Sequence, residues 1–415
     1  MSAAGCIRKE RLDRFVELAR VYRGWTRAQL SHALGRDASK LVPESGNPKL
    51  DFVVGIADVL DWRLGDVAEA VWLEEPHAEA SGVSFEELDL SAHAAHRAGD
   101  AQRMLALSKQ MRDVAATSTE RAIAANRESG AWDLRGRYVR SLEAVQSGLA
   151  EGEVRDDVRL MLQANLANAH YALWHLVEAR AVAADLIVGF AERPPRSRLE
   201  RVGEAFACYV RGHSFRRQMA QSVASARRDL AIRARVDLER ARERYLRLSD
   251  EYHDLSYEAV AATCRGGLLE CAAVLDDIEP SDVIQQIFER LGEAEDIDEI
   301  PRGDRLESYG WWAIIGCNVA LRHLEGRELH RAMAVCSNKA MDIAERLDNW
   351  SMREQAFSME HYRRRRVHDI TGFEPDWLLD ADDIRILAGA MARFPSFRPI
   401  GWQILESARV FEDGR

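Results

Sequence analysis

Amphipathic, helix-length stretches follow one another from Ser84 almost to the C-terminus, and none is long enough to build a core alone. A pair of helices spanning about 34 residues cannot bury its own apolar face, so neighbouring pairs must stack and share one continuous core. The recurring phrase is an amphipathic helix, a short polar break, an aromatic residue and a second helix. It occurs around Trp132, Tyr252 and Trp350, and further turns fall at Gly99-Asp100 and Glu325-Gly326-Arg327. Roughly five to seven pairs are expected between Ser84 and Arg366. Ala, Leu, Arg and Glu dominate, which is the vocabulary of helices. No alternating stretch ends in an Asn-Gly or Asp-Gly turn, so β-hairpins are not expected. The expected fold class is all-α.

One unit is more specific. Asn165 to Ile187, NLANAHYALWHLVEARAVAADLI, places Leu166, Ala169, Tyr171, Trp174 and Ala179 at alternating small and large packing positions. It resembles a tetratricopeptide repeat, with Trp174 where the family has glycine between its helices. The resemblance implies an α-solenoid whose first helices line a concave groove for an extended peptide. Asparagine both donates and accepts, so it holds a peptide backbone without regard to side chains. Asn165 and Asn168, on one helix face, and Asn318 with Arg322 on another inner helix are the candidate effector-binding residues. Trp132, Tyr171, Trp174, Tyr252, Trp311, Trp312 and Trp350 are expected in the core. Ser222 to Arg247 carries opposite charges at helical spacing (Arg233 with Asp237, Arg235 with Glu239) and is expected to be a solvated face.

The first 73 residues read as five short helices. Leu12, Phe15, Val16 and Ala19 share a face of the first, which Gly24 ends. Thr26 caps a second, closed by Gly35. Asp37 caps a very short third that Pro43 stops. Asn47 caps a fourth with Pro48 in its first turn, burying Leu50, Val53, Val54, Ala57 and Leu60. Arg63 to Trp72 make the fifth.

In this module Thr26-x-x-Gln29-Leu30, Ala33-Leu34-Gly35 and Asn47-Pro48-x-Leu50 stand in an order that resembles the repressor-type helix-turn-helix of the xenobiotic-response-element family. The match covers about 60 residues. It implies that the helix after Gly35 lies in the DNA major groove. By the same resemblance Arg27 meets a phosphate, Arg36, Ser39 and Lys40 face the groove, and Lys49 meets the backbone near a helix N-terminus. The chain departs from the pattern between Gly35 and Asn47, where the family has about three more residues. With Pro43, this leaves a reading helix of about one and a half turns. A helix-turn-helix-like unit that no longer reads DNA stays open as an alternative.

Charge is divided in the same way. Residues 1–49 hold ten Lys and Arg against five acids, within a chain of net charge −11. A basic edge on an acidic body fits a nucleic-acid-contacting head. No phosphate loop, nucleophile elbow or Ser/His/Asp set occurs, so an enzyme is not expected. His93 and His96 lack a third ligand at motif spacing, and no metal or cofactor is expected. No apolar stretch is long enough for a membrane span. The scattered cysteines and the absence of an apolar leader segment point to the cytoplasm. The expected layout is a helix-turn-helix-like domain at 1–73, a linker at 74–83, a tetratricopeptide-like solenoid at 84–366 and a helical cap at 367–415. It resembles repressor-type regulators with tetratricopeptide sensor domains, including bacterial peptide-responsive quorum-sensing regulators. That implies a homodimeric transcription regulator of double-stranded DNA governed by a peptide or protein effector. The alternative is a protein-interaction scaffold that does not bind DNA.

Overall fold

A computed structural model describes residues 3–38, 41–72, 83–372 and 377–410. The chain divides into two compact units, Met1–Ser81 and Gly82–Arg415. Both are helical, and the one sheet among the described residues has two three-residue strands.

In the N-terminal unit α1 (Ala3–Arg23), α2 (Arg27–Ala33), α3 (Leu50–Leu60) and α4 (Leu64–Trp72) surround one core. The expected face of α1, from Leu12 to Ala19, is buried. Thr26 caps α2 in a reciprocal box with Gln29, which satisfies two backbone donors that the helix start leaves open. Gly35 then turns the chain at φ +61°. The short third helix does not form as an α-helix among the described residues. Ala38 lies in a single tight turn, and Leu41 and Val42 are drawn into the core, where a helix ending at Pro43 has no room to continue. The next helix also begins later than expected. Asn47 donates its backbone N–H to Ser45 Oγ, and Lys49 takes the N-cap position of α3 without a side-chain bond. The buried stripe of α3 is Phe52, Val53, Ile56, Ala57, Val59 and Leu60, while Leu50 and Val54 turn outward.

The second unit begins with Ser84 and Glu87 in a capping box. Helices α5 (Phe85–Arg97) and α6 (Ala101–Val114) form a pair, followed by α7 (Ser118–Leu134) with α8 (Tyr138–Leu149) and α9 (Asp156–Ala172) with α10 (Leu176–Glu192). Then come α11 (Arg198–Gln218) with α12 (Ala224–Tyr252), α13 (Leu255–Leu275) with α14 (Pro280–Gly292), and α15 (Asp304–His323) with α16 (Gly326–Leu347). The last long helix is α17 (Trp350–Thr371). Each odd-numbered helix from α5 to α17 also touches the next odd-numbered one, which makes an inner row. This is the stacked arrangement that narrow apolar faces require.

Two local features depart from expectation. The solvated face assigned to Ser222–Arg247 is cross-linked to its neighbours. Asp237 of α12 is buried and takes both oxygens to Arg211 of α11 at 2.7 Å, and Arg235 pairs with Asp277. Trp174, at the α9–α10 turn, holds a left-handed φ of 63°, where a bulky residue is strained. Its side chain reaches α17, and Nε1 donates to Glu354 Oε2 at 3.2 Å. The cross-array bond offsets the turn strain that glycine would avoid.

The C-terminal segment returns to the early pairs. Strands β1 (Trp377–Leu379) and β2 (Ala408–Val410) pair in parallel around α18 (Ala381–Arg393) and α19 (Arg398–Ser407). Leu387, Phe394, Phe397 and Ile404 share one cluster with Tyr138 of α8, Ala172 of α9 and Leu173. The Tyr138 and Phe394 rings pack at a tilt of 40° with centroids 5.5 Å apart, and Arg393 Nε donates to the Arg135 carbonyl at 3.3 Å. The array therefore closes on itself and does not end as an open superhelix.

Candidate functional site

Partly open cavities lie along the inner row. Two cavities of about 380 and 290 Å³ adjoin where Asp133, Asn168 and Phe206 line both. The larger runs from His93 and His96 past Asn126, Asn165 and Glu200. The smaller lies between α7, α9, α11, α13 and α15, with Tyr138, Tyr245 and Asn349 at its edges.

Asn165 and Asn168 therefore stand where an inner groove needs them. Asn165 Nδ2 donates to Asn126 Oδ1 at 2.7 Å, and Asn168 Nδ2 donates to Asp133 Oδ1 at 3.4 Å. Each amide keeps further capacity, because one Asn offers two donors and two lone pairs. Asn318 and Arg322 lie elsewhere. They line a third cavity of about 670 Å³ with Trp174, Arg227, Tyr362 and Arg366. Both also face Glu270: Arg322 at 3.1 Å and Asn318 at 3.5 Å. Glu270 is fully buried and pairs at 2.6 Å with Arg216, which is equally buried. The two pairs of effector candidates are thus not one site, and the second is tied into the core.

Sequence reasoning missed the acidic and aromatic lining of the smaller cavity. Asp133, Asp304 and Glu307 face it, against Arg217 as its one lining cation. Glu307 accepts from Trp311 Nε1 and Asn349 Nδ2, each at 3.0 Å. Trp311, expected as core, lines the cavity, and so do Tyr171 and Tyr209. A signal was present: Glu307 interrupts the apolar run LESYGWWAII, where a carboxylate has no place in a packed face.

Burial sets the charge state here. Asp133 is pushed up to about 7, first by burial and then by the charge of Glu307. Glu307 is also raised, chiefly by burial. The cavity that Asp133 lines is also lined by Glu307 and Asp304 on α15, by Arg217 on α11, and by Tyr138, Tyr171, Tyr209 and Tyr245. A carboxyl raised in the folded state holds its proton where the unfolded chain has lost it, so stability falls as pH rises from about 4 to about 7. Thermal unfolding of the wild type is expected to show that slope, and Asp133→Asn is expected to flatten it. An equal slope in both proteins would contradict the assignment.

The DNA candidates divide as well. Arg27 is exposed at the start of α2, where Nε donates to the Ala38 carbonyl at 3.3 Å, and Lys49 is exposed at the start of α3. Arg36 instead folds back. It pairs with Asp51 at 2.8 Å, and its guanidinium lies 5.0 Å from the Phe52 ring centre. Ser39 and Lys40 lie outside the described residues. The arginine run 363–366 is also largely engaged: Arg363 and Arg364 pair with Glu360, and Arg366 bonds the Leu321 carbonyl.

No family model and no curated protein matches the sequence. Among solved structures, the chain is similar to Bacillus thuringiensis PlcR, whose crystal structure is in complex with the peptide PapR7 and DNA. The two are 13% identical, the match covers 78% of this chain and 97% of that one, and the TM-score is 0.38.

Proposed function

We propose that this chain is a DNA-binding transcription regulator whose helical array takes a peptide or protein effector and mediates homodimerisation. The observation that carries the reading is the inner groove, where Asn126, Asn165 and Asn168 sit on successive inner helices with hydrogen-bonding capacity to spare. A head bearing exposed Arg27 and Lys49 supplies phosphate contacts, and a dimer would set two such heads on paired half-sites.

Anisotropy titration of labelled duplex DNA with the full chain tests the DNA half. Binding is expected at about 50 mM salt and to weaken steeply toward about 200 mM. Arg27→Ala and Lys49→Ala should each weaken binding to all sequences and lower the salt slope by about 1. Arg36→Ala should leave the slope unchanged, because Asp51 already holds that guanidinium.

A second reading has its own observation. Arg36 is withdrawn, and no α-helix lies between Ala33 and Leu50 among the described residues. On that reading the unit is a protein-interaction module. Absence of DNA binding at about 50 mM salt would favour it.

A further inference from the structure

We propose that the smaller inner cavity is a recognition site for an organic cation, the ammonium or guanidinium of a basic side chain in the effector peptide. The inference rests on the effector groove just described and names the chemistry it selects.

Three observations carry it. First, the cavity's lining holds three carboxyl groups against one guanidinium. Among the described residues, the hydrogen-bond partners of Asp133 and Glu307 are neutral donors: the amides of Asn168 and Asn349 and the Trp311 indole. A carboxylate away from bulk water is stabilised by a cationic partner, and among the described residues neither Asp133 nor Glu307 is hydrogen-bonded to a side-chain cation. Second, the walls are aromatic, and cations prefer ring faces. The cavity already shows the preference within the chain: Arg217 lies 3.8 Å from the Tyr171 ring centre. Third, Tyr138, Tyr171 and Tyr245 are each more than nine-tenths buried and line the cavity, yet their hydroxyls have no hydrogen-bond partner among the described residues. None of these hydroxyls is sealed from solvent, so they open onto the cavity space. A hydrogen-bonding guest in the cavity would satisfy them.

Size sets the class. About 290 Å³ admits a single Lys- or Arg-sized group, while the adjoining Asn-lined cavity accepts the backbone that carries it. An acidic peptide would meet carboxylates at the junction of the two cavities, where Asp133 stands.

The test immobilises the full-length protein and exposes it to a randomised, end-capped heptapeptide library, with retained peptides read by mass spectrometry. A parallel arm measures binding of agmatine and cadaverine by calorimetry. Wild type is expected to enrich Lys and Arg at one position at least tenfold over Gln and Glu. Asp133→Asn and Glu307→Gln, with unchanged circular dichroism, should each lose that enrichment while still retaining peptides. Should either variant fail to fold, Asp304→Asn at the exposed rim gives the same reading, with a smaller loss. Peptides retained without enrichment of basic residues would overturn the cation site and leave the groove standing. Enrichment of Glu or Asp would overturn it as well. Binding of agmatine or cadaverine without peptide retention would keep the cation site and reassign its source to a free amine. Retention of neither would overturn both the site and the peptide groove.

Discussion

Glu270→Gln is expected to lower stability by about 3–5 kcal/mol, the range for breaking a buried ion pair by removing one charge. Glutamine keeps the shape of the side chain but not its charge. Arg216 is then left buried with a guanidinium that has lost its counter-charge, and the His213 Nδ1 that it also contacts at 3.0 Å is neutral. Burial and the neighbouring arginines hold His213 well below the ordinary histidine range, so it carries no charge to lose. Arg322 loses its partner in the same step. Urea denaturation followed by circular dichroism measures the loss. In a thermal scan it corresponds to a fall in Tm of roughly 5–10 °C. The companion variant isolates the cause: adding Arg216→Met removes the stranded charge and should recover more than half of the deficit. No recovery would mean that the cost lies in packing.

Trp350→Ala is expected to cost about 3 kcal/mol, by loss of contact area and by the cavity left behind. The indole is seated between two glycines. A Cβ on Gly389 would come within 2.3 Å of the ring, and one on Gly136, which also needs φ +64°, within 2.8 Å. Arg393 and Arg353 lie 3.7 and 4.5 Å from the ring centre. The ring thus joins the turn before α8 to α17 and α18. Trp350→Phe is the control. It keeps an aromatic face for both arginines and deletes an indole N–H that is buried without a partner, so its effect should stay within about 1 kcal/mol. Limited trypsin digestion adds a local readout, with faster cleavage at Arg393 expected in the alanine variant alone.

Fold class was legible because the helix pairs repeat one amphipathic period and several begin at a capping side chain. Ser84 with Glu87 and Thr26 with Gln29 cap the helices that their spacing implied. Boundaries failed where tertiary packing overruled a local signal. Asn47-Pro48 looks like a helix start, but burial of Leu41 and Val42 and the turn of Asn47 toward Ser45 shift α3 to Leu50. Charge partners failed for a related reason. Asp237 has arginines within one turn on its own helix, yet Arg211 of α11 reaches it, and one sequence does not say which neighbouring helix comes close. The Asn165–Asn168 face was readable because its spacing is local. The acidic chamber was not, because Asp133, Glu307 and Tyr245 come from helices far apart in the chain and meet only when the array closes.

That closure has a consequence for whatever lodges inside. The bond from Arg393 to the Arg135 carbonyl spans 258 residues, so the walls of the chamber are fastened like a bracelet, with the clasp away from the guest. If a guest touching α7 and α15 together favours the fastened form, then by linkage the fastening raises the guest's affinity to the same degree. Loosening the clasp should therefore weaken binding without altering any residue that the guest touches.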